Sequence, residues 1–354
     1  MSLRALLGLA LLLLAPEASA QADPEATRGF GATDAPRTLL VRGTTDIALF
    51  GPVLGAFVAA SPEVRVEYEQ WSSNGLYAAG EAACTADAAD ADLLISSAVD
   101  QLVKLVNDGC ARPYRSARTD RLPAGASWRD EIFGITREPA VLVYNRDLVP
   151  ASQAPRSRFD LIDLLRPADS PYAGRVATYD IEASGLGYLF AFVDSRQATT
   201  FGSLIEAFGR SGAVATCCSA EIIDGVIAGR FLVAYNVLGS YALARAETAP
   251  NLAVVAPDDY TLVLSRAAML PAGARNPDDA GLLLDFLLSD AGRRELAAAR
   301  LIVDLDEPDE TLLTLPSGSA VLRQIPLSPV LLVGLDRQKR ARFLELWRGT
   351  FTTE

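Results

Sequence analysis

The 354-residue chain has no histidine. This removes the imidazole general base, the Ser-His-Asp and Cys-His triads and any histidine-ligated metal site. Lysine is almost missing too, with Lys104 and Lys339 the only two. The 32 basic residues are outnumbered by 44 acidic ones, giving a formal net charge of −12. That balance disfavours a nucleic-acid partner, because phosphate-backbone binding is driven by Lys/Arg neutralisation and counterion release. The sequence also lacks a Gly-x-Ser-x-Gly elbow, a Gly-x-x-x-x-Gly-Lys phosphate loop and a Cys-x-x-Cys redox pair, each the signature of a common enzyme class. Past residue 20 no uninterrupted apolar stretch reaches the roughly 20 residues that a membrane-spanning helix needs.

What is present starts at the N-terminus. Arg4 precedes the apolar run Ala5 to Ala15, Pro16-Glu17 ends it, and Ala18-Ser19-Ala20 supplies the small residues read by a signal peptidase. The run is too short to span a bilayer as a helix, so residues 1–20 read as a secretory signal cleaved after Ala20. The expected product is a periplasmic chain of unchanged net charge, and no cysteine follows the small-residue motif to carry a lipid. In an oxidising compartment the four cysteines can pair. Cys84 and Cys110 enclose a loop of moderate length that can close as a disulfide, whereas adjacent Cys217 and Cys218 either form a vicinal disulfide or stay as small buried thiols.

Half of the residues are hydrophobic, enough for two domains or one domain with two lobes. After a polar lead-in over 21–36, strand patterns at Thr38–Val41, Val64–Tyr68 and Asp92–Ile95 alternate with helical ones, and Pro52 fits the first turn of the first helix. This alternation argues for an α/β sheet with crossover helices. The apolar run through Tyr144-Asn145 contains Pro139 near its start, which favours an edge or crossing strand over a central one. The pattern then restarts from Val176 to Tyr235, so the expected division is lobe 1 over 37–140, completed by part of 255–300, and lobe 2 over 141–254. Residues 301–354 form a C-terminal segment packing across the lobes, and the acidic run Asp304 to Glu310 reads as a solvated loop.

The path from Thr44-Thr45-Asp46 through Tyr144-Asn145 to Tyr235-Asn236-Val237-Leu238-Gly239-Ser240-Tyr241, with the helix before Ser289-Asp290-Ala291-Gly292, resembles the periplasmic solute-binding proteins of ABC importers. The likeness is to the branch of ferric-ion, thiamine and phosphorylated-solute binders that includes the phosphoglycerate-transport regulatory protein, and it covers about residues 37–347. It implies a two-lobed, type II-like α/β fold, each lobe a mixed sheet flanked by helices. It also implies a hinge, a ligand cleft between the lobes, no cofactor, and delivery by a monomer to a permease of the inner membrane.

Such clefts lie beyond the carboxyl ends of strands, where helix N-termini offer free N–H groups and partial positive charge. The turns Thr44-Thr45, Ser72-Ser73-Asn74, Ser96-Ser97 and Ser184-Gly185, with Asn236 and Tyr241, are therefore candidate contacts for a small polar or anionic solute, phosphorylated or carboxylated, although Ser, Thr and Asn also cap helices in any α/β protein. Arg137 either pairs with Glu138 at the hinge or binds an anionic ligand, and Glu182 is either a first-turn carboxylate or a ligand contact. A ferric-ion site would have to use Tyr235 and Tyr241, because the consecutive tyrosines of ferric binders are absent here. Other readings are a ligand-sensing partner of a membrane histidine kinase and, weakest, a secreted carboxylate hydrolase.

Overall fold

The computed structural model describes residues 23–88, 91–197, 199–303 and 321–351. The secretory signal with its Ala20 cleavage point and the acidic run Asp304 to Glu310 lie outside the described residues.

The first sheet is built from β1 (Ala26–Phe30), β2 (Arg37–Gly43), helix α1 (Ile47–Ala60), β3 (Val64–Gln70), α2 (Ser73–Thr85), β4 (Leu93–Ser96), α3 (Val99–Asn107), β5 (Ser127–Trp128) and β6 (Ile132–Gly134). The chain then crosses into β7 (Glu138–Asn145), α4 (Arg158–Leu165), β8 (Val176–Tyr179), α5 (Gly185–Gln197), α6 (Phe201–Ser211), β9 (Val214–Thr216), α7 (Ser219–Ile227), β10 (Val233–Leu238), α8 (Gly239–Ala246), β11 (Leu252–Val255) and β12 (Tyr260–Leu264). It returns through β13 (Ala267–Met269), α9 (Pro277–Leu288) and α10 (Asp290–Ala298), and ends in β14 (Val321–Gln324), α11 (Leu332–Leu335) and α12 (Arg337–Thr350).

Strand order is β1-β3-β2-β4-β13-β6-β5 in the first sheet and β14-β12-β7-β10-β8-β9 in the second, with β11 also pairing β7. In each sheet a parallel strand has a parallel partner on either side: β2 lies between β3 and β4, and β8 between β10 and β9. These are the places where open α/β sheets bind ligands beyond the strand ends. Two neighbouring strand segments link the lobes, β6 to β7 and β12 to β13. Ile135 N–H donates to Arg266 O at 2.8 Å between them.

The period-2 pattern of the buried strands divides the core into layers. On β7, Val141 and Val143 join a cluster shared with lobe 1 residues such as Leu94 and Leu102, whereas Leu142 and Tyr144 face the outer cluster with Leu161, Phe208 and Trp347. A third cluster, around Leu39, Val41, Phe50 and Leu283, fills the outer face of the first sheet.

Three expectations are corrected. The supposed lead-in contains β1, paired antiparallel with β3 from Ala26↔Gln70 to Phe30↔Val66; as an exposed edge strand it is held by backbone bonds and has no apolar period to betray it. Pro52 lies inside α1, because the helix starts at Ile47 to bury Phe50. Pro139 opens a strand that is central as well as crossing, flanked by β10, β11 and β12; the missing N–H falls at the hinge end, where the ladder starts.

Helix α3 of the first lobe packs against α5 and α11. In its first turn Asp100 is buried, and its Oδ1 has no hydrogen-bond partner among the described residues. Burial pushes its carboxyl up from 3.8 to about 7, against the pull of the Gln101 and Asp100 N–H groups and the Arg340 charge. A carboxyl raised in the folded state contributes stability below its unfolded pKa and loses it as pH rises through the folded value. The wild-type melting temperature is therefore expected to fall between pH 5 and pH 8, and Asp100→Asn to flatten that fall. An equal fall in both proteins, measured by differential scanning calorimetry, would refute the assignment.

Candidate functional site

Where β2, β3, β4, β8 and β9 end, the lobes enclose a cleft of about 140 Å³. Thr44, Ser72, Ser73 and Ser97 line it from the first lobe, and Tyr179, Ser184, Ser219 and Tyr241 from the second. Arg266, at the hinge, completes it together with Asp46, Glu25, Trp71 and the Cys217–Cys218 pair.

The cleft hydroxyls share a hydrogen-bond logic. Ser72 Oγ accepts Gly75 N–H at 3.1 Å and caps α2, and Ser184 Oγ accepts Gly187 N–H at 3.0 Å at the start of α5. Ser73 Oγ accepts Gly185 N–H at 2.9 Å from across the cleft, and Thr44 Oγ1 accepts Ser97 N–H at 3.0 Å. Tyr179 Oη accepts Leu238 N–H at 3.1 Å and lies 2.6 Å from Ser219 Oγ. With one lone pair of each oxygen engaged by a backbone donor, the Ser72, Ser73 and Ser184 hydroxyls keep a proton to offer, while Thr44–Ser97 and Tyr179–Ser219 each share one proton within the pair. The N-termini of α2, α5 and α7 meet here as well, each with the positive end of its dipole toward the cleft.

Arg266 brings a guanidinium to this wall, its charge balanced by the Glu138 carboxylate. Its Nε donates to Glu138 Oε1 at 2.9 Å, and both side chains are almost wholly buried, at 1% and 0% exposure. Burial disfavours the guanidinium charge, but Glu138 together with Tyr241 and Tyr68 more than offsets that, so the pKa of Arg266 is raised. Of the two readings of Arg137, as a partner of Glu138 or as a ligand contact, the structure gives neither: Glu138 pairs with Arg266 across the two hinge segments, and Arg137 is not among the cleft-lining residues. Arg137 instead donates its N–H to Leu301 O at 3.0 Å and a guanidinium N–H to Val303 O at 3.2 Å, fastening the segment after α10.

The lobes also bond to each other directly. Tyr241 Oη donates to Asp46 Oδ1 at 2.9 Å and accepts Asp46 N–H at 3.0 Å. Asn74 Nδ2 donates to the carbonyls of Glu182 and Ala183 at 2.9 and 3.1 Å. These bonds and the Ser73–Gly185 bond describe a closed arrangement of the lobes.

Of the residues singled out in the sequence, Thr44, Ser72, Ser73, Ser97, Ser184 and Tyr241 share the cleft wall, and Asn74 and Gly185 bridge it. The others lie elsewhere. Thr45 is buried beneath the turn and Ser96 Oγ accepts Ala98 N–H at 3.1 Å, while Glu182 turns outward to pair with Arg348. Asn236 sits in a bulge of β10 at φ 63°, a left-handed conformation that Asn tolerates, and lines a separate small cavity with Phe190 and Trp347. Tyr235 points into the outer core of lobe 2, where its hydroxyl donates to Asp194, so Tyr235 and Tyr241 do not converge on a common metal position. Arg266 was missed by sequence reasoning, although a lone Arg between the apolar runs Leu262–Leu264 and Ala267–Leu270 is an available signal. Both cysteine pairs are disulfides, Cys84–Cys110 and Cys217–Cys218.

Comparison with known proteins places this geometry in context. The profile of the bacterial extracellular solute-binding proteins matches residues 44–294. The chain is 36% identical to the substrate-binding protein of an ABC transporter from Agrobacterium tumefaciens, with a TM-score of 0.84 over 93% of this chain and 99% of that one. It shares the fold of the periplasmic binding protein AfuA from Actinobacillus pleuropneumoniae, solved with fructose-6-phosphate, at 17% identity, a TM-score of 0.69, and coverage of 90% of this chain and 99% of that one. It also shares the fold of iron-bound HitA from Pseudomonas aeruginosa, at 15% identity, a TM-score of 0.67, and coverage of 89% and 99%. A search of curated proteins found no match. No described helix is long and apolar enough to cross a membrane.

Proposed function

The chain belongs to the bacterial extracellular solute-binding protein family, and on that premise we propose that it captures a small hydroxylated anion, a phosphorylated or carboxylated metabolite, and releases it unchanged to its ABC permease. Export with cleavage after Ala20 and action as a monomer are part of this reading.

One observation carries it: cleft hydroxyls whose oxygens are held by backbone N–H groups, set around Arg266 and three helix N-termini. An array of donors suits a ligand rich in acceptors, and oriented O–H and N–H dipoles stabilise negative charge most where water is excluded. Asp46 and Glu25, on the same wall, suit hydroxyl groups at the far end of such a solute. The volume, below the roughly 300–1,000 Å³ of drug-sized pockets, suits a few-carbon metabolite. The ferric reading loses its phenolate pair, since Tyr235 is committed to Asp194.

Native mass spectrometry of protein purified gently from periplasm is expected to show a non-covalent phosphate ester or carboxylate that is lost on denaturation. A hydroxyl bonded to a charged group contributes about 1.5–3 kcal/mol. Ser73→Ala/Ser184→Ala should therefore weaken calorimetric binding of the released solute at least about 100-fold without unfolding the protein. A bound metal alone, or unchanged affinity in the double variant, would overturn the proposal.

A further inference from the structure

The Cys217–Cys218 disulfide stands on the cleft wall, and solute capture as described gives it no task. Cys218 occupies the N-cap position of α7 without a side-chain capping bond, and Glu221 lies in the first turn of that helix, with its Oε2 3.3 Å from Cys217 Sγ. The two sulfurs and the Glu221 carboxylate all lie within 4.8 Å of one another. Cys218 and Glu221 are exposed, so reductants and ions reach them from solvent, whereas the partner cysteine of the other disulfide, Cys110, is buried.

From this geometry we propose that Cys217, Cys218 and Glu221 form a redox-gated site for a soft, thiophilic metal cation on the wall of the solute cleft. As a disulfide the pair has no thiolate to offer. A dithiol reductant supplies two electrons and two protons, breaks the S–S bond and leaves as its own disulfide. The cation then displaces two thiol protons to solvent and takes both thiolates and the carboxylate. Thiolates select soft ions, and one carboxylate beside them suits a zinc- or cadmium-like centre with positions left for water or an anionic solute. The positive end of α7 favours the extra negative charge that two thiolates and a carboxylate bring together.

The test uses the full mature protein and Cd²⁺ as the probe, and needs no knowledge of the transported solute. Protein is reduced with a phosphine, which does not compete as a thiol, and the ultraviolet sulfur-to-cadmium charge-transfer band is titrated alongside equilibrium dialysis. Reduced wild type is expected to bind one equivalent, and oxidised wild type none. Reduced Cys217→Ser/Cys218→Ser, which keeps Cys84 and Cys110, is expected to bind none. Exposed Glu221→Gln leaves the fold unthreatened and should weaken binding at least about tenfold. No band in reduced wild type overturns the proposal. A band of equal size in the double serine variant assigns the metal to Cys84 and Cys110 and overturns it as well, and undiminished affinity in Glu221→Gln removes the carboxylate from the site.

Discussion

Glu138→Gln is expected to lower the melting temperature by about 5 °C, because it breaks a buried ion pair from one side. Glu138 receives Arg266 Nε at 2.9 Å and Nη2 at 3.4 Å, Thr136 Oγ1 at 2.7 Å and the Ser240 hydroxyl. An amide in its place turns one acceptor oxygen into a donor facing other donors and leaves the Arg266 charge without its counter-ion. Removing one partner of a buried pair costs about 3–5 kcal/mol, whereas exchanging both for apolar residues is often neutral; at about 2.1 cal/mol/K of unfolding entropy per residue a chain of this length shifts by roughly 1.5 °C per kcal/mol, so the single change amounts to about 5 °C. Glu138→Leu/Arg266→Met should therefore melt closer to wild type than Glu138→Gln does, yet bind the anionic solute proposed above far more weakly, since the cleft has lost its guanidinium. Calorimetric melting of the three proteins decides it: a Glu138→Gln melt within 2 °C of wild type would show that the hinge does not depend on this pair.

The pair also shows where sequence reasoning stops. Strand-helix alternation, the alternating pattern of β3, the unbroken apolar run of β7 and Ser at positions that cap helices follow from local chemistry, so two α/β lobes could be read from the chain, while the cleft between them came from the resemblance. Glu138 and Arg266 are 128 residues apart, and nothing local distinguishes Arg137 from Arg266 as the partner of Glu138. Their pairing is a property of two hinge segments lying side by side. Asn236 misled for a different reason: at a strand end it reads as a cleft residue, but the bulge between Ala234 and Val237 shifts the register of β10, and a one-residue shift carries a side chain to the other face. Edge strand β1 left no apolar trace at all, because its role is to supply backbone donors and acceptors to β3.

Tyr235 leads to the second large effect, in the core of lobe 2. Asp194, on α5 and 1% exposed, receives Arg158 Nε at 3.0 Å and the hydroxyls of Tyr235 and Tyr260. Arg158 continues to Asp259 at 3.0 Å and to Tyr260 O at 2.9 Å, and its guanidinium lies 3.6 Å from the centre of the Tyr260 ring. One carboxylate thus joins α4, α5, β10 and β12. Burial, opposed by the Arg158 charge and reinforced by Asp194, holds the Tyr235 phenol well above its ordinary pKa, so it acts as a neutral donor and not as a phenolate. Asp194→Ala removes the acceptor of three donors and leaves a buried guanidinium with Asp259 as its remaining carboxylate partner, a loss of about 3–5 kcal/mol. Tyr235→Phe deletes one hydroxyl and should cost only about 1–2 kcal/mol. Urea unfolding is expected to separate the two variants by that margin, with solute affinity of the folded proteins unchanged, because the network lies behind the sheet from the cleft. If Tyr235→Phe instead abolished ligand binding while leaving stability intact, Tyr235 would be a cleft residue after all, and the ferric reading would return with it.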